Sequence, residues 1–415
     1  MTRADLARTL EALARRRTVW ALVLIAALAT RMAFVTTAPN TIPWPDGRAN
    51  ELAGWRLASE HRYTADFFLT PAYPVFVGAV YSVTGRNLRA LRVADASVST
   101  VTVGLIGLFG ALLLTPGAGL VAALLAAVHP VMAYLPIAHY TENLLLLLTT
   151  LAFGVTGLAL LRPSNRRWLA AGVLFGLAML SKPTVVLLLP GFALGAVWRL
   201  RPHGWGRLLR WGALFAVALA LTILPWMARC HRHEGRWYLI SAGGGRVFWM
   251  GNNPGYRGTT SLSVAVPDSM MRAMEALPNY ADQEATFYRA GMRFIREQPA
   301  RAAQLYLMRL GNLWALYPRT QTRTGLSVAL ADWAQGVCSA LLFAGALLGT
   351  RRSARAGLAA FPLGVVSCTL VLSCYYTVLR YRMSFEVLVI WLASLGITSW
   401  LGRGAGPAAE PPASR

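Results

Sequence analysis

The sequence predicts an all-α polytopic membrane protein of about ten transmembrane helices, with amphipathic helices on its outer, periplasmic side. Three observations lead there. The 415 residues are 56% hydrophobic but only 14% charged, with a mean hydropathy of +0.47, whereas soluble domains carry about 25% charged residues. The apolar residues come in blocks of roughly 17–22, the length that crosses about 30 Å of hydrocarbon. The arginines gather between those blocks on alternate sides.

The first block, at about 18–36, follows Arg15, Arg16 and Arg17. It resembles a signal peptide in charge, but further spans follow, so it is read as an uncleaved first helix with a cytoplasmic start. Later spans are expected at about 89–114, 118–135, 143–161, 168–181, 184–199, 211–228, 326–348, 357–378 and 384–401. The short loops expected in the cytoplasm hold Arg162, Arg166 and Arg167, then Arg199, Arg201, Arg207 and Arg210, then Arg351, Arg352 and Arg355. Short loops on the other side hold none at 136–142, Lys182 alone between the fifth and sixth spans, and Arg380 with Arg382. The bias therefore sets both termini inside. Residues 168–199 are read as two short spans around Ser181-Lys182-Pro183, with one kinked helix or a re-entrant pair as the alternative.

Two long segments then face outward, at about 37–88 and 229–325. In the first, Leu52, Trp55, Leu57 and Ala58 recur at helical spacing among Arg48, Glu51, Arg56 and Glu60, which predicts an amphipathic surface helix. Val75 to Val83 is too short to span and is expected to lie half-buried in the interface. The second predicts a Gly/Asn-rich turn region at 242–258 and helices at about 281–297 and 300–316. Phe287, Phe294, Ile295, Leu305, Met308 and Leu310 would form their apolar faces. Residues 402–415 read as a disordered cytoplasmic tail.

A formal charge of +23 would suggest nucleic acid if it formed one patch. Here the arginines lie between apolar blocks, so membrane lipids are the expected partner and nucleic acid is not. Cys230, Cys338, Cys368 and Cys374 are too few and too scattered for a disulfide framework, and are read as packing residues. His231, His233 and Glu234 match no metal-ligand spacing, so no cofactor is expected.

The candidate chemistry lies on the outer face. Asp46 stands in Pro45-Asp-Gly47 just beyond the first span, where a helix N-cap is the plain structural alternative. Glu142 opens the fourth span in His139-Tyr-Thr-Glu142, where an acid also suits the helix dipole. Lys182 is the only lysine against 39 arginines; its compact ammonium suits a phosphate oxygen, with snorkelling as the alternative. Arg380 and Arg382 depart from the positive-inside bias, so an anion is expected beside them, either a lipid-linked phosphate or Glu386. Gly243-Gly-Gly-Arg-Val-Phe-Trp-Met-Gly-Asn-Asn-Pro-Gly255 fits neither a P-loop nor a dinucleotide spacing. Trp44, Trp55, Trp249 and Tyr256 are suited to stacking on sugars or to the membrane interface.

Taken in order, several stretches resemble the GT-C integral membrane glycosyltransferases of the protein mannosyltransferase and aminoarabinose transferase type. They are Pro45-Asp46-Gly47, Pro71-Ala-Tyr-Pro74, Tyr140-Thr-Glu142, Leu180-Ser-Lys-Pro183, Pro225-Trp-Met-Ala-Arg229, the stretch from Gly243-Gly244-Gly245 to Gly251-Asn-Asn-Pro-Gly255, Phe294-Ile-Arg-Glu-Gln-Pro299 and Arg380-Tyr-Arg382. The chain departs from many relatives in having Cys230 where an asparagine is usual. The resemblance implies a polyprenyl-phosphate-linked sugar as donor and a lipid, glycan or protein hydroxyl as acceptor, with inversion at the sugar. It implies Asp46 as base and basic groups of the outer face, here Lys182, Arg380 and Arg382, as holders of the donor phosphate; Glu142 is the second catalytic candidate, either orienting the acceptor or fixing a basic residue. Tyr140, Trp249, Asn252 and Asn253 are the expected substrate contacts. It also implies a bacterial inner membrane with the site facing the periplasm. A transporter or lipid flippase, using the same charges as a pathway, is the alternative.

Overall fold

A computed structural model describes residues 2–63, 68–257, 279–317 and 326–402, with a few positions between 269 and 277. The tail expected beyond Gly402 lies outside the described residues, which contain helices and no strand.

The chain opens with α1 (Arg3–Ala14) and α2 (Arg17–Thr37), followed by α3 (Pro45–Glu60) and α4 (Ala72–Thr84). Next come α5 (Leu88–Leu113), α6 (Pro116–Ala127), α7 (Pro130–Ala138), α8 (Glu142–Leu161) and α9 (Asn165–Ser181). A 3-10 turn at Pro183–Leu188 leads into α10 (Leu189–Leu200) and then α11 (Trp205–Glu234). The long connection holds α12 (Gly244–Gly251), α13 (Tyr280–Glu297) and α14 (Pro299–Leu313). The last helices are α15 (Leu326–Arg355), α16 (Ala360–Leu372) and α17 (Glu386–Gly402), with a 3-10 turn at Leu379–Ser384 before α17.

Among the described residues, six helical segments are long and apolar enough to cross a membrane: Arg17–Thr37, Leu88–Leu113, Glu142–Leu161, Pro183–His203, Trp205–Glu234 and Ala329–Arg355. The pair α6 and α7, bent by 50°, makes a seventh if it is one span. The bend has a local cause, because Pro130 supplies no N–H and drives His129 out of helical geometry. His129 then caps α7, its Nδ1 accepting from the Met132 N–H at 3.4 Å. Helices also occupy the expected positions of α9, α16 and α17, but at 17, 13 and 17 residues they fall short of that length test.

Aromatic rings and small residues hold the bundle together. Phe153 stacks on Phe192 at 5.5 Å and touches Phe175 at 5.7 Å. Phe361 stacks on Trp391 at 5.6 Å, and the Trp391 Nε1–H donates to the Ile106 carbonyl across to α5. Between α15 and α17, Gly345, Gly349 and Gly396 bring backbone against backbone, where any Cβ would collide with the facing helix. Close approach of this kind replaces the missing hydrophobic drive between helices in lipid.

Three local expectations need correction. The surface helix is not simply striped: Glu51 is buried, accepting from the Tyr81 hydroxyl at 3.0 Å and from Arg86 at 2.9 Å, while Leu52 is exposed. The reason is that Gly54, not a bulky residue, packs on Val77 of α4. The glycine-rich stretch expected as turns contains a helix, α12, because Gly245 sits against α13 and its N–H donates to Glu284. In α13 and α14, Phe287, Phe294 and Leu305 are buried as expected, but Met308 is exposed and Leu310 only partly buried. In α4, Tyr73, Val77 and Tyr81 form the buried side and Val75 and Val83 the exposed one.

Candidate active site

Asp46 lies in the first turn of α3, whose N-cap is Trp44 with no side-chain cap bond. The capping alternative therefore does not describe it. The segment leading to it is anchored from α5, where Arg92 donates to the carbonyls of Pro39 at 2.8 Å and Thr41 at 3.0 Å. Gly47 rests on the Ala138 carbonyl at the end of α7, with no room for a Cβ. Glu142 begins α8 and is nearly fully buried. Lys182 follows the last turn of α9, where the Ser181 hydroxyl donates to the Thr141 carbonyl at 3.3 Å. The neighbouring Thr70 hydroxyl donates to the Ser181 carbonyl at 2.7 Å. Arg380 sits on the turn before α17, held to the Pro183 segment by the Ser384–Thr184 hydroxyl pair at 2.8 Å.

These ends converge. Arg380 donates to Asp46 at 2.5 Å and its Nε lies 3.9 Å from Glu142 Oε1, the same oxygen to which Lys182 donates at 2.5 Å. Tyr140 and Tyr381 wall the cluster: Arg380 lies 4.4 Å from the Tyr140 ring centre and Lys182 4.4 Å from that of Tyr381, within cation–π range. Two carboxylates and two cations thus share one chain. Its exposure is graded, with the Asp46 side chain 48% exposed, Arg380 29%, Lys182 13% and Glu142 4%.

Burial lowers the Lys182 pKa below the ordinary lysine value, with Glu142 opposing the shift. For Arg380, burial acts downward but Glu142, Tyr381 and Asp46 more than offset it, so the guanidinium stays charged. Burial pushes the Tyr140 hydroxyl up to about 12, so it is a neutral donor at physiological pH. The cluster combines an accessible carboxylate with two cations that could turn toward an entering phosphate.

Arg382 does not join this group. Its side chain is fully buried, donating to Glu386 at 2.6 Å, to the Ala315 carbonyl at 3.2 Å and to Ser339 at 3.3 Å. The other Glu386 oxygen meets His129 at 3.1 Å. Of the two anions expected beside the Arg380–Arg382 pair, Glu386 is the one Arg382 has, and each of its three nitrogens donates inside the protein. Asn252 and Asn253 also serve the backbone. Asn252 donates to the Phe248 and Cys374 carbonyls and accepts from Arg309 at 3.1 Å, and Asn253 donates to the Trp249 carbonyl at 2.9 Å. Arg309 also donates to the Gly251 and Ser373 carbonyls, tying α12 to the strand of chain that precedes Arg380. Trp249 is half-buried beside them. His231 stacks flat on Trp237 at 4.4 Å, and among the described residues no group of three or more His, Cys, Asp or Glu side chains is placed to hold a metal ion.

Tyr381, His139 and Tyr73 stand in stretches that the sequence singled out without giving them a role, and Asp95 was not singled out. Asp95 lies inside a predicted span, and an ionisable residue there is a signal in its own right.

Residues 69–228 match the model of the dolichyl-phosphate-mannose-protein mannosyltransferase family. The oligosaccharyltransferase of Archaeoglobus fulgidus in its apo form superposes with a TM-score of 0.56 at 12% identity, covering 91% of this chain and 50% of its own. The chain has a GT-C fold. A second structure with that fold, AglB from Archaeoglobus fulgidus with an inhibitory peptide and a dolichol-phosphate, gives 0.54 at 12% identity over 94% of this chain and 52% of its own. ArnT from Cupriavidus metallidurans bound to undecaprenyl phosphate gives 0.49 at 16% identity over 92% of this chain and 78% of its own. The chain spans about half the length of the oligosaccharyltransferases it matches. No curated protein matches its sequence.

Proposed function

We propose that the protein is a polyprenyl-phosphate-dependent glycosyltransferase that transfers a sugar, with inversion, to an acceptor hydroxyl. The observation that carries this is the half-exposed Asp46 carboxylate on Arg380, next to the buried Glu142–Lys182 pair. The match of residues 69–228 to the dolichyl-phosphate-mannose mannosyltransferase family and the dolichol-phosphate seen with AglB, which shares the fold, support a lipid-linked donor. A lipid, glycan or protein acceptor follows from the same reading.

In this mechanism the acceptor oxygen attacks the anomeric carbon as its proton passes to Asp46, the most exposed carboxylate of the cluster. The bond from that carbon to the phosphate oxygen breaks, and polyprenyl phosphate leaves. Arg380 and Lys182 offset the charge that grows on the departing phosphate. Glu142, shared by both cations, sets their spacing. The arginine clusters at 162–167, 199–210 and 351–355 sit at the opposite ends of the spans from this site, which supports a site on the periplasmic face of a bacterial inner membrane.

The test is mass spectrometry of lipids co-purifying with the protein in mild detergent, for wild type and for Arg380→Ala. A polyprenyl phosphate, with or without its sugar, that is depleted in the variant is the expected result and names the sugar to assay. If only bulk phospholipid appears and added polyprenyl phosphate does not bind, the glycosyltransferase reading fails and a transporter becomes the better one.

A further inference from the structure

Beneath the charged cluster lies a second polar group that the mechanism does not use. Asp95 is 1% exposed in α5, where no water can solvate a carboxylate, so its charge must be met by hydrogen bonds. It accepts from the Tyr73 hydroxyl at 2.7 Å, from the Asn143 amide at 2.8 Å and from His139 Nδ1 at 3.3 Å. His139 is itself fully buried and its Nε2 has no hydrogen-bond partner. The Tyr73 hydroxyl also lies 3.4 Å from Nδ1, but it gives its own proton to Asp95 at 2.7 Å, so the tautomer with the proton on Nδ1 satisfies both the tyrosine and the carboxylate.

The position of His139 gives this pairing its meaning. Its φ is 54°, a left-handed conformation that non-glycine residues seldom adopt. That turn ends α7 and delivers Tyr140 and Glu142 to the site. On its other side, Asn50 donates to the His139 carbonyl at 3.5 Å. Asn50 follows Asp46 by four residues, so both lie on one face of α3, and Gly47 between them rests on the Ala138 carbonyl. One strained residue thus touches the helix that bears Asp46 and the loop that bears Glu142, and its ring is anchored on Asp95.

We infer that Asp95 and His139 are positioning residues that fix the Asp46 helix against the Glu142 loop, without touching substrate. Their effect on catalysis rests on the proposed function; their effect on geometry does not. The alternative is that the buried group only stabilises the fold.

The test uses the full chain in detergent. Asp95→Asn keeps the side-chain volume and an acceptor oxygen but removes the charge that holds His139. It is expected to lower kcat roughly 10- to 100-fold, the size of loss a small misplacement causes, with KM for the donor within about twofold. Asparagine tolerates left-handed backbone and can donate an N–H, so His139→Asn is expected to recover part of the kcat that His139→Ala loses. Tyr73→Phe, the mildest change, covers the case in which the Asp95 variant does not fold. Unchanged kcat per folded molecule with a lowered Tm overturns the inference. Hydrogen exchange decides the geometry without any activity. In Asp95→Asn, or in Tyr73→Phe if that variant must stand in, amides of 46–50 and 139–143 should exchange faster while those of α10 and α16 do not; equal exchange at both sites overturns it. A wild type that transfers no sugar counts against the proposed function, and the exchange result still decides this inference.

Discussion

Arg380 and Arg382 are separated by one tyrosine and end in opposite surroundings. Arg382 turns into the bundle, where each of its three nitrogens donates to a partner inside the protein, Glu386, Ser339 or the Ala315 carbonyl, and the carboxylate it pairs with is held from behind by His129. Arg380 turns toward the site, is 29% exposed, and divides itself between a half-exposed carboxylate and a buried one. The difference lies in saturation, not charge. An ion pair with all its partners inside the protein can only hold elements together, whereas one that borders solvent can exchange a partner for a substrate.

Removing each member sharpens the contrast. Arg382→Ala should have the largest effect, because it leaves Glu386 buried without its cation, a loss of about 3–5 kcal/mol. Thermal unfolding in detergent should show it as collapsed yield or a much lower Tm. Asp46→Asn should do the reverse: loss of kcat by roughly 10²–10⁴-fold, the usual worth of a positioned base, with stability changed by less than about 1 kcal/mol because the pair is partly exposed. Full transfer by a normally expressed Asp46→Asn protein would exclude it as the base. Arg380→Ala should weaken donor binding roughly 10- to 100-fold, as expected for a charge-assisted hydrogen bond, readable by titration with polyprenyl phosphate. The smallest effect is expected at Lys182. Its lowered pKa means the ammonium loses its proton before an ordinary lysine would, so rate should fall on the alkaline side below that range. Lys182→Arg, charged throughout, should move that alkaline limb upward; an unmoved limb would remove Lys182 from the phosphate site.

Hydrophobic run length and arginine placement made the helical, membrane-embedded class legible, because the bilayer imposes both patterns directly. The break at His129-Pro130 was less so, since α6 and α7 read as one apolar run. Asp46, Glu142, Lys182 and Arg380 each drew attention through position or composition, and together through their shared outer face. Their contacts did not, because 334 residues separate Asp46 from Arg380 and no local period connects them. Sequence could not separate Arg380 from Arg382 either: in a 3-10 turn at a helix start, which of two arginines faces inward depends on where Glu386 and Ser339 lie. Asn252 and Asn253 looked like site residues for want of knowing that Arg309 and the Cys374 carbonyl needed partners. The Asp95–His139 pair was not legible because Asp95 lay in a span read only for its hydropathy, although it broke that pattern, and His139 stood in an outer-loop stretch that was read for Glu142.

The single lysine has a practical consequence. Among 415 residues only Lys182 carries an ε-amine, so an amine-directed reagent has one side chain to modify, and that side chain is 13% exposed beside Glu142. A burial-lowered pKa makes a larger fraction of it nucleophilic at mildly alkaline pH. The protein therefore carries a built-in chemical reporter: acylation of Lys182, followed in one peptide by mass, would read occupancy of the charged cluster without a label being introduced anywhere in the chain.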